Sequence, residues 1–284
     1  MTINTIAVLG AGTMGRGIAY AAALGGYRTV LEDIAAPVLE AGLAWIHVSL
    51  EEGVARSKVT SQQKDAVRAN LSTANTVEAA AREADLIIEA VPEDMKVKVD
   101  VFSTLDRCAP PGAILASNTS SLSITEIAAV TQRPDKCIGL HFFNPVPKMK
   151  LLEIIRAPET SAETLDACRE VGRRMGKDTV VVRDSPGFIT SRINAMIGNE
   201  AFYLLEAGIA SAADIDKAVK LGLNHPMGPF EMVDLVGLDV RLSILEYLHC
   251  TLGEKFRPRP LLAQYVREGR LGRKSGHGVY EYTK

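Results

Sequence analysis

The 284-residue chain has only four cysteines, Cys108, Cys137, Cys168 and Cys250, widely spaced and without a CxxC pair. That scatter offers neither a disulfide framework nor a thiolate zinc site; no metal is expected, and a reducing cytoplasm fits. An excess of either charge is also missing, since 32 Lys and Arg stand against 34 Asp and Glu. Phosphate-backbone binding needs a basic surplus, so nucleic acid is not an expected partner. No apolar run reaches the roughly 20 residues of a membrane-spanning helix, and no membrane partner is expected. The opening MTINTIAVLG passes directly into a strand-like run, so neither a signal peptide nor a transit helix is expected. Internal repeats and low-complexity tracts are absent too.

What is there reads as an ordinary globular composition, 47% hydrophobic and 23% charged. Single cores usually stop growing near this length, so two domains are expected. Short apolar runs alternate with helix-length segments at 5–9, 28–31, 86–91, 113–116, 137–142 and 151–155, with a last one at 178–182. The rhythm predicts a mostly parallel sheet with crossover helices, and burial on both faces explains why the runs are continuous.

The pattern changes at Arg183-Asp184-Ser185-Pro186-Gly187, which divides the chain into a Rossmann-like α/β domain at 1–184 and an all-helical C-terminal domain at 185–284. Ser185 is read as the cap of a helix with Pro186 at its first position, running through Asn199 and Leu205. Ser211, with Asp214 three residues on, marks another helix start. The stretch Met227-Gly228-Pro229-Phe230 reads as a loop before one amphipathic helix through Leu235, Leu238, Leu242 and Leu245.

Gly10 to Gly15, GAGTMG, matches GxGxxG between the first strand and a helix carrying Met14, Ile18 and Ala22 on one side. Gly10 suits a tight turn, Gly12 a close backbone approach to a pyrophosphate, and Gly15 close helix-to-strand packing. The helix start adds free amides and a positive dipole end. About 20 residues on, the second strand ends at Asp33, where a carboxylate would receive ribose hydroxyls and repel a 2′-phosphate; NAD is therefore favoured over NADP. Glu32 would take that place only if the strand were shifted by one residue.

His141 ends the apolar run Ile138-Gly139-Leu140 at the sheet edge where such ligands bind, and a dehydrogenase needs a group that takes the alcohol proton. Glu153 lies inside Leu151-Leu152-Glu153-Ile154-Ile155, where a carboxylate requires a partner; His141 is the candidate. On pattern alone, a core histidine and an exposed edge-strand glutamate stand equally open.

The segments GAGTMG, ASNTSSLSITEIA, RPDKCIGLHFFNPVPKMKLLEII, DSPGF, LGLNHPMGP and LGRKSGHGVY, in that order, resemble the 3-hydroxyacyl-CoA dehydrogenase family, and the likeness spans the whole chain. The resemblance implies NAD-dependent oxidation of an (S)-3-hydroxyacyl-CoA thioester, with 3-hydroxybutyryl-CoA expected, and the reverse reduction. It implies His141 as general base, oriented by Glu153, and Ser120 near the substrate oxygen, with a strand-to-helix cap as the alternative. Cofactor contacts are implied for the loop, including Thr13 and Met14, and for Glu93, Lys98, Asn144 and Lys274.

Many members have asparagine where this chain has Ser191, which offers one hydroxyl in place of an amide; Asn194 lies nearly a turn further on. Ser191 is ranked first. Arg56 and Lys58 follow a long helix from Pro37 and are candidates for the CoA phosphates, with a solvated helix end equally open. A homodimer through the helical domain is expected from the family. Two rival readings remain: a nucleotide binder without catalysis, and a dehydrogenase of free hydroxy or sugar acids.

Overall fold

The computed structural model describes residues 1–282, which fold as two compact units, Met1–Asp184 and a second from Ser185 onward. The first contains β1 (Thr5–Leu9), α1 (Thr13–Leu24), β2 (Arg28–Glu32), α2 (Ala36–Ala55), α3 (Ser61–Asn70), β3 (Leu71–Ala74), α4 (Val77–Ala81), β4 (Leu86–Glu89) and α5 (Met95–Cys108). It continues with β5 (Ile114–Ser117), α6 (Ile124–Ala128), β6 (Cys137–Phe142), β7 (Leu151–Arg156), α7 (Ala162–Arg174) and β8 (Asp178–Arg183).

The strands form one sheet in the order β3-β2-β1-β4-β5-β6-β7-β8. The pairs from β3 to β6 are parallel, β7 runs antiparallel to β6, and β8 is parallel to β7. Strands β1, β4, β5 and β6 are buried along their whole length, which is why they carry continuous apolar runs. The reversal at β7 follows from the link 143–150, too short for the dozen or more residues that a parallel crossover takes.

One strand was not foreseen. Leu71-Ser72-Thr73-Ala74 lacks an apolar run because it lies at the sheet edge with Ser72 and Thr73 exposed. Its pairing with β2 makes it a strand, and no local signal does.

The second unit contains α8 (Thr190–Glu206), α9 (Ala212–Gly222), α10 (Pro229–Val236), α11 (Leu238–Leu252) and α12 (Pro260–Arg267) around Phe202, Phe230, Leu245, Leu248 and Phe256. Among the described residues it holds only isolated β-bridges, so its helical character stands.

Two helix expectations need correction. The helix after the boundary starts at Thr190 and not at Pro186, because Gly187 (φ +71°) and Phe188 (φ +49°) are left-handed and cannot continue a helix from Pro186. Among the described residues α8 has no side-chain cap, and Ser185 Oγ accepts from Arg192 Nη2 at 2.5 Å. The run through Leu235 and Leu245 is two helices, broken at Gly237 with φ +107°. Ser211 does cap α9, accepting from Asp214 N at 3.1 Å.

Candidate active site

β1 ends at a turn only glycine can make. Gly10 has φ +91°, and a Cβ there would sit 2.8 Å from the Ala90 carbonyl oxygen; a Cβ on Gly15 would run into the Gly10 carbonyl. A Cβ on Gly12, by contrast, would meet nothing within 4 Å. The loop is therefore closed below and open above, at the N-terminus of α1, where Gly12 supplies no side-chain cap to compete for the first amides. Thr13 is exposed and Met14 half-buried against the core. Asp33 follows β2, and its Oδ2 accepts from Ala11 N and its Oδ1 from Ala35 N, both at 2.9 Å. The carboxylate is thus fixed against the glycine loop. These residues fit a dinucleotide: an amide-lined opening for the pyrophosphate, with an acid beside it for the ribose.

Glu32, just before Asp33, is 2% exposed, and its Oε1 has no hydrogen-bond partner among the described residues. Burial, then the charge of Asp33, pushes its carboxyl up to about 7.

At the other end of the sheet, His141 and Glu153 face each other on one rung of the antiparallel β6–β7 pair. Directly opposed side chains lie close enough to touch, and His141 Nδ1 lies 2.7 Å from Glu153 Oε2. Both are buried, and the Phe143 ring tilts against the imidazole with centroids 4.3 Å apart. Asn118, which follows β5, accepts from Phe142 N through its Oδ1 at 2.9 Å and ties the end of β6 to its neighbour. The geometry removes the reading of Glu153 as an exposed edge residue.

Ser120, Glu93 and Lys98 form part of one connected network. Glu93 Oε1 accepts from Ser120 N, Ser120 Oγ and Thr119 Oγ1, and its Oε2 lies 3.3 Å from Lys98 Nζ. Lys98 is buried and also meets the buried Glu89 at 2.7 Å; Glu89 in turn accepts from Ser117 Oγ at 2.7 Å and from Val91 N at 2.8 Å. Burial pushes the Glu89 carboxyl up, while Lys98 and these hydrogen bonds pull it back. Glu89 was not singled out from sequence. A carboxylate in an apolar strand needs a partner in Leu86-Ile87-Ile88-Glu89 as much as it does around Glu153. As for the alternative role of Ser120, α6 is capped by Ser123, which accepts from Glu126 N.

Both units have their counterpart among known proteins. Residues 5–185 match the family model for 3-hydroxyacyl-CoA dehydrogenase, NAD binding domain, and residues 187–282 that for 3-hydroxyacyl-CoA dehydrogenase, C-terminal domain. The chain belongs to the 3-hydroxyacyl-CoA dehydrogenase family. It is 48% identical over 285 residues to a probable 3-hydroxybutyryl-CoA dehydrogenase of Bacillus subtilis, covering 100% of this chain and 99% of the relative. With the human mitochondrial hydroxyacyl-coenzyme A dehydrogenase it shares 42% over 288 residues, 99% of this chain and 91% of that one. The crystal structure of (S)-3-hydroxybutyryl-CoA dehydrogenase from Ralstonia eutropha matches with a TM-score of 0.96 and 41% identity, covering 100% of both chains. The protein is an NAD-dependent oxidoreductase of this family, and its first unit is the family's NAD-binding domain.

Of the remaining candidate positions, Asn144, Arg56 and Lys58 lie in the first unit and Ser191, Asn194 and Lys274 in the second. Asn144 is exposed just beyond β6 and precedes a cis peptide to Pro145. Arg56 is exposed and paired with Glu52 at 3.2 Å, as a solvated helix end would be; Lys58 is exposed nearby. In the second unit, Ser191 sits half-buried in the first turn of α8, and Asn194 half-buried almost a turn on. Lys274 Nζ pairs with Asp239 at 2.6 Å, which helps hold that carboxyl below its usual range.

Proposed function

We propose that this dehydrogenase oxidises (S)-3-hydroxyacyl-CoA, with 3-hydroxybutyryl-CoA as its substrate, to the 3-ketoacyl-CoA and catalyses the reverse reduction. The 2.7 Å contact between His141 and Glu153 carries the reading. With Nδ1 donating to the carboxylate, the basic lone pair of the ring is on Nε2, and Nε2 takes the C3 hydroxyl proton. Glu153 holds the ring in that tautomer and offsets the positive charge it gains. NAD, when bound, supplies the hydride acceptor.

The loop from Gly10 to Gly15, with Thr13 and Met14, together with Asp33, Glu93, Lys98, Asn144 and Lys274, would hold the cofactor. Ser120 and Ser191 would orient the substrate oxygens, and Arg56 and Lys58 would meet the CoA phosphates. The choice of a four-carbon thioester is supported by relatives at 41–48% identity over the full chain that are 3-hydroxybutyryl-CoA dehydrogenases by name. A homodimer through the helical unit is supported by its exposed Ile193, Ile209, Leu221 and Leu223. We place the enzyme in the cytoplasm, in keeping with its four free cysteines.

The decisive experiment follows NADH absorbance with acetoacetyl-CoA and, in parallel, with acetoacetate. Turnover of the thioester and not of the free acid is expected; the opposite result, or none with either, overturns the reading.

A further inference from the structure

The glycine turn of the nucleotide loop rests on the segment that leaves β4. Leu9 and Glu89 are register partners in the parallel β1–β4 pair, so Gly10 and Ala90 leave the sheet side by side. Ala90 N donates to Leu9 O at 2.8 Å, and a Cβ on Gly10 would sit 2.8 Å from the Ala90 carbonyl oxygen and 3.3 Å from Val91 N. Packed this closely, the glycine loop keeps its place only if the Ala90-Val91 backbone keeps its own.

Val91 lies past the end of β4 and is gripped from both sides. Its N–H donates to Glu89 Oε1 at 2.8 Å, and its carbonyl accepts from Lys98 Nζ at 3.4 Å, the weaker of the two contacts. Glu89 and Lys98 are themselves paired at 2.7 Å, and both are buried. Ser117 Oγ, from β5, donates at 2.7 Å to the other carboxylate oxygen, Oε2. A buried ion pair adds little net stability, because desolvation offsets the attraction. What this pair supplies is a fixed position for the Val91 peptide.

We infer that Glu89 is a positioning residue for NAD: by holding the Val91 peptide it keeps the Ala90-Val91 backbone against Gly10, and so keeps the amides of the glycine loop aimed at the pyrophosphate. The dinucleotide then meets a loop already in place, which avoids the cost of ordering it on binding. NAD binding is a property of the family's first domain and does not hang on the proposed substrate.

Fluorescence titration of NADH into the full-length protein tests it, with Tm and the kcat for acetoacetyl-CoA reduction at saturating NADH measured alongside. Glu89→Ala should weaken NADH binding about tenfold, the equivalent of one weakened charged hydrogen bond, while kcat stays within about twofold. Ser117→Ala removes a partner from the same buried carboxylate but not its bond to Val91; it should lower Tm and leave NADH affinity within about twofold of the wild type. Unchanged NADH affinity in Glu89→Ala, an equal loss in Ser117→Ala, or a fall in kcat as large as the loss of affinity overturns the inference. Should Glu89→Ala not fold, Glu89→Gln, which keeps one acceptor oxygen, should show a smaller loss of the same kind. Hydrogen exchange at the wild-type Val91 amide needs no variant: slow exchange without NAD is expected, because Glu89 already holds that N–H, and fast exchange that slows only when NAD binds overturns the inference. The NADH titration and the exchange measurement read Glu89 even if acetoacetyl-CoA is not turned over, so a failure of the proposed substrate is told apart from a failure of this role.

Discussion

His141 and Glu153 share a rung of the β6–β7 pair, so their 2.7 Å contact is a consequence of strand register. A slip of one residue would turn one of the two side chains to the other face of the sheet. The reversal of β7 therefore does more than close the sheet: it creates the pair on which the proposed chemistry depends.

Replacing His141 by Ala should lower kcat by about 10²- to 10⁴-fold, the usual contribution of a general base. NADH affinity, read by fluorescence titration, should stay within about twofold, since the mutation removes no proposed cofactor contact. Retained turnover would remove His141 from the mechanism.

Glu153→Gln keeps the shape but can present its amide to Nδ1 and select the wrong tautomer. A loss in kcat of up to about 10⁴-fold has a precedent in the equivalent change of a catalytic triad. Steady-state kinetics over a range of pH should show the loss in kcat, with the KM for NADH little changed; a variant as active as the wild type counts against the orienting role.

Asp33 is expected to set cofactor choice. Asp33→Ser removes the charge facing a 2′-phosphate and also an acceptor of the Ala11 and Ala35 amides. KM for NAD+ should rise about tenfold, roughly the loss of one charged hydrogen bond, and NADP+ should become measurably usable. Parallel assays with both nucleotides check this, and an unchanged NAD+/NADP+ ratio rejects it.

Glu32 should make stability fall with rising pH. Its carboxyl titrates at about 7 in the fold against 4.5 in the unfolded chain, so the native state binds the extra proton between those values. The contribution is fully present below 4.5 and is lost as pH rises through 7, roughly 3 kcal/mol in all. Glu32→Gln should flatten the dependence in urea melts at pH 5 and pH 8, leaving the variant more stable at pH 8. A wild type equally stable at both, with no gain in the variant, contradicts the assignment.

Arg241, in the helical unit, is 1% exposed, its Nε lacks a hydrogen-bond partner among the described residues, and burial pulls its pKa down to about 10. Below that pH the buried charge costs about 3 kcal/mol, and at neutral pH the penalty is complete. Arg241→Met should therefore raise Tm by several degrees in a thermal scan at pH 7, and a fall in Tm would show that the guanidinium is compensated.

Local chemistry made much of this legible from residues alone. Gly10 and Gly15 of GAGTMG, the acid that follows β2 and the continuous apolar runs of β1, β4, β5 and β6 each have a physical requirement that few residue types meet, so they identify the nucleotide fold before any contact is known. Glu153 was recognisable because a charge in an apolar strand demands a partner. Glu89 satisfies the same condition.

Tertiary structure decided what depends on distant neighbours. β3 is a strand only because β2 lies beside it, and the start of α8 is set by left-handed Gly187 and Phe188 with Arg192 folded back onto Ser185 and Pro186. The gathering of Ser117, Glu89, Lys98, Glu93 and Ser120 likewise brings together ends of two strands and a helix, spaced in sequence by up to 31 positions. Sequence determines which residues must be paired, through the free energy of burying them; which partner they find depends on strand order and register, properties of the folded chain as a whole.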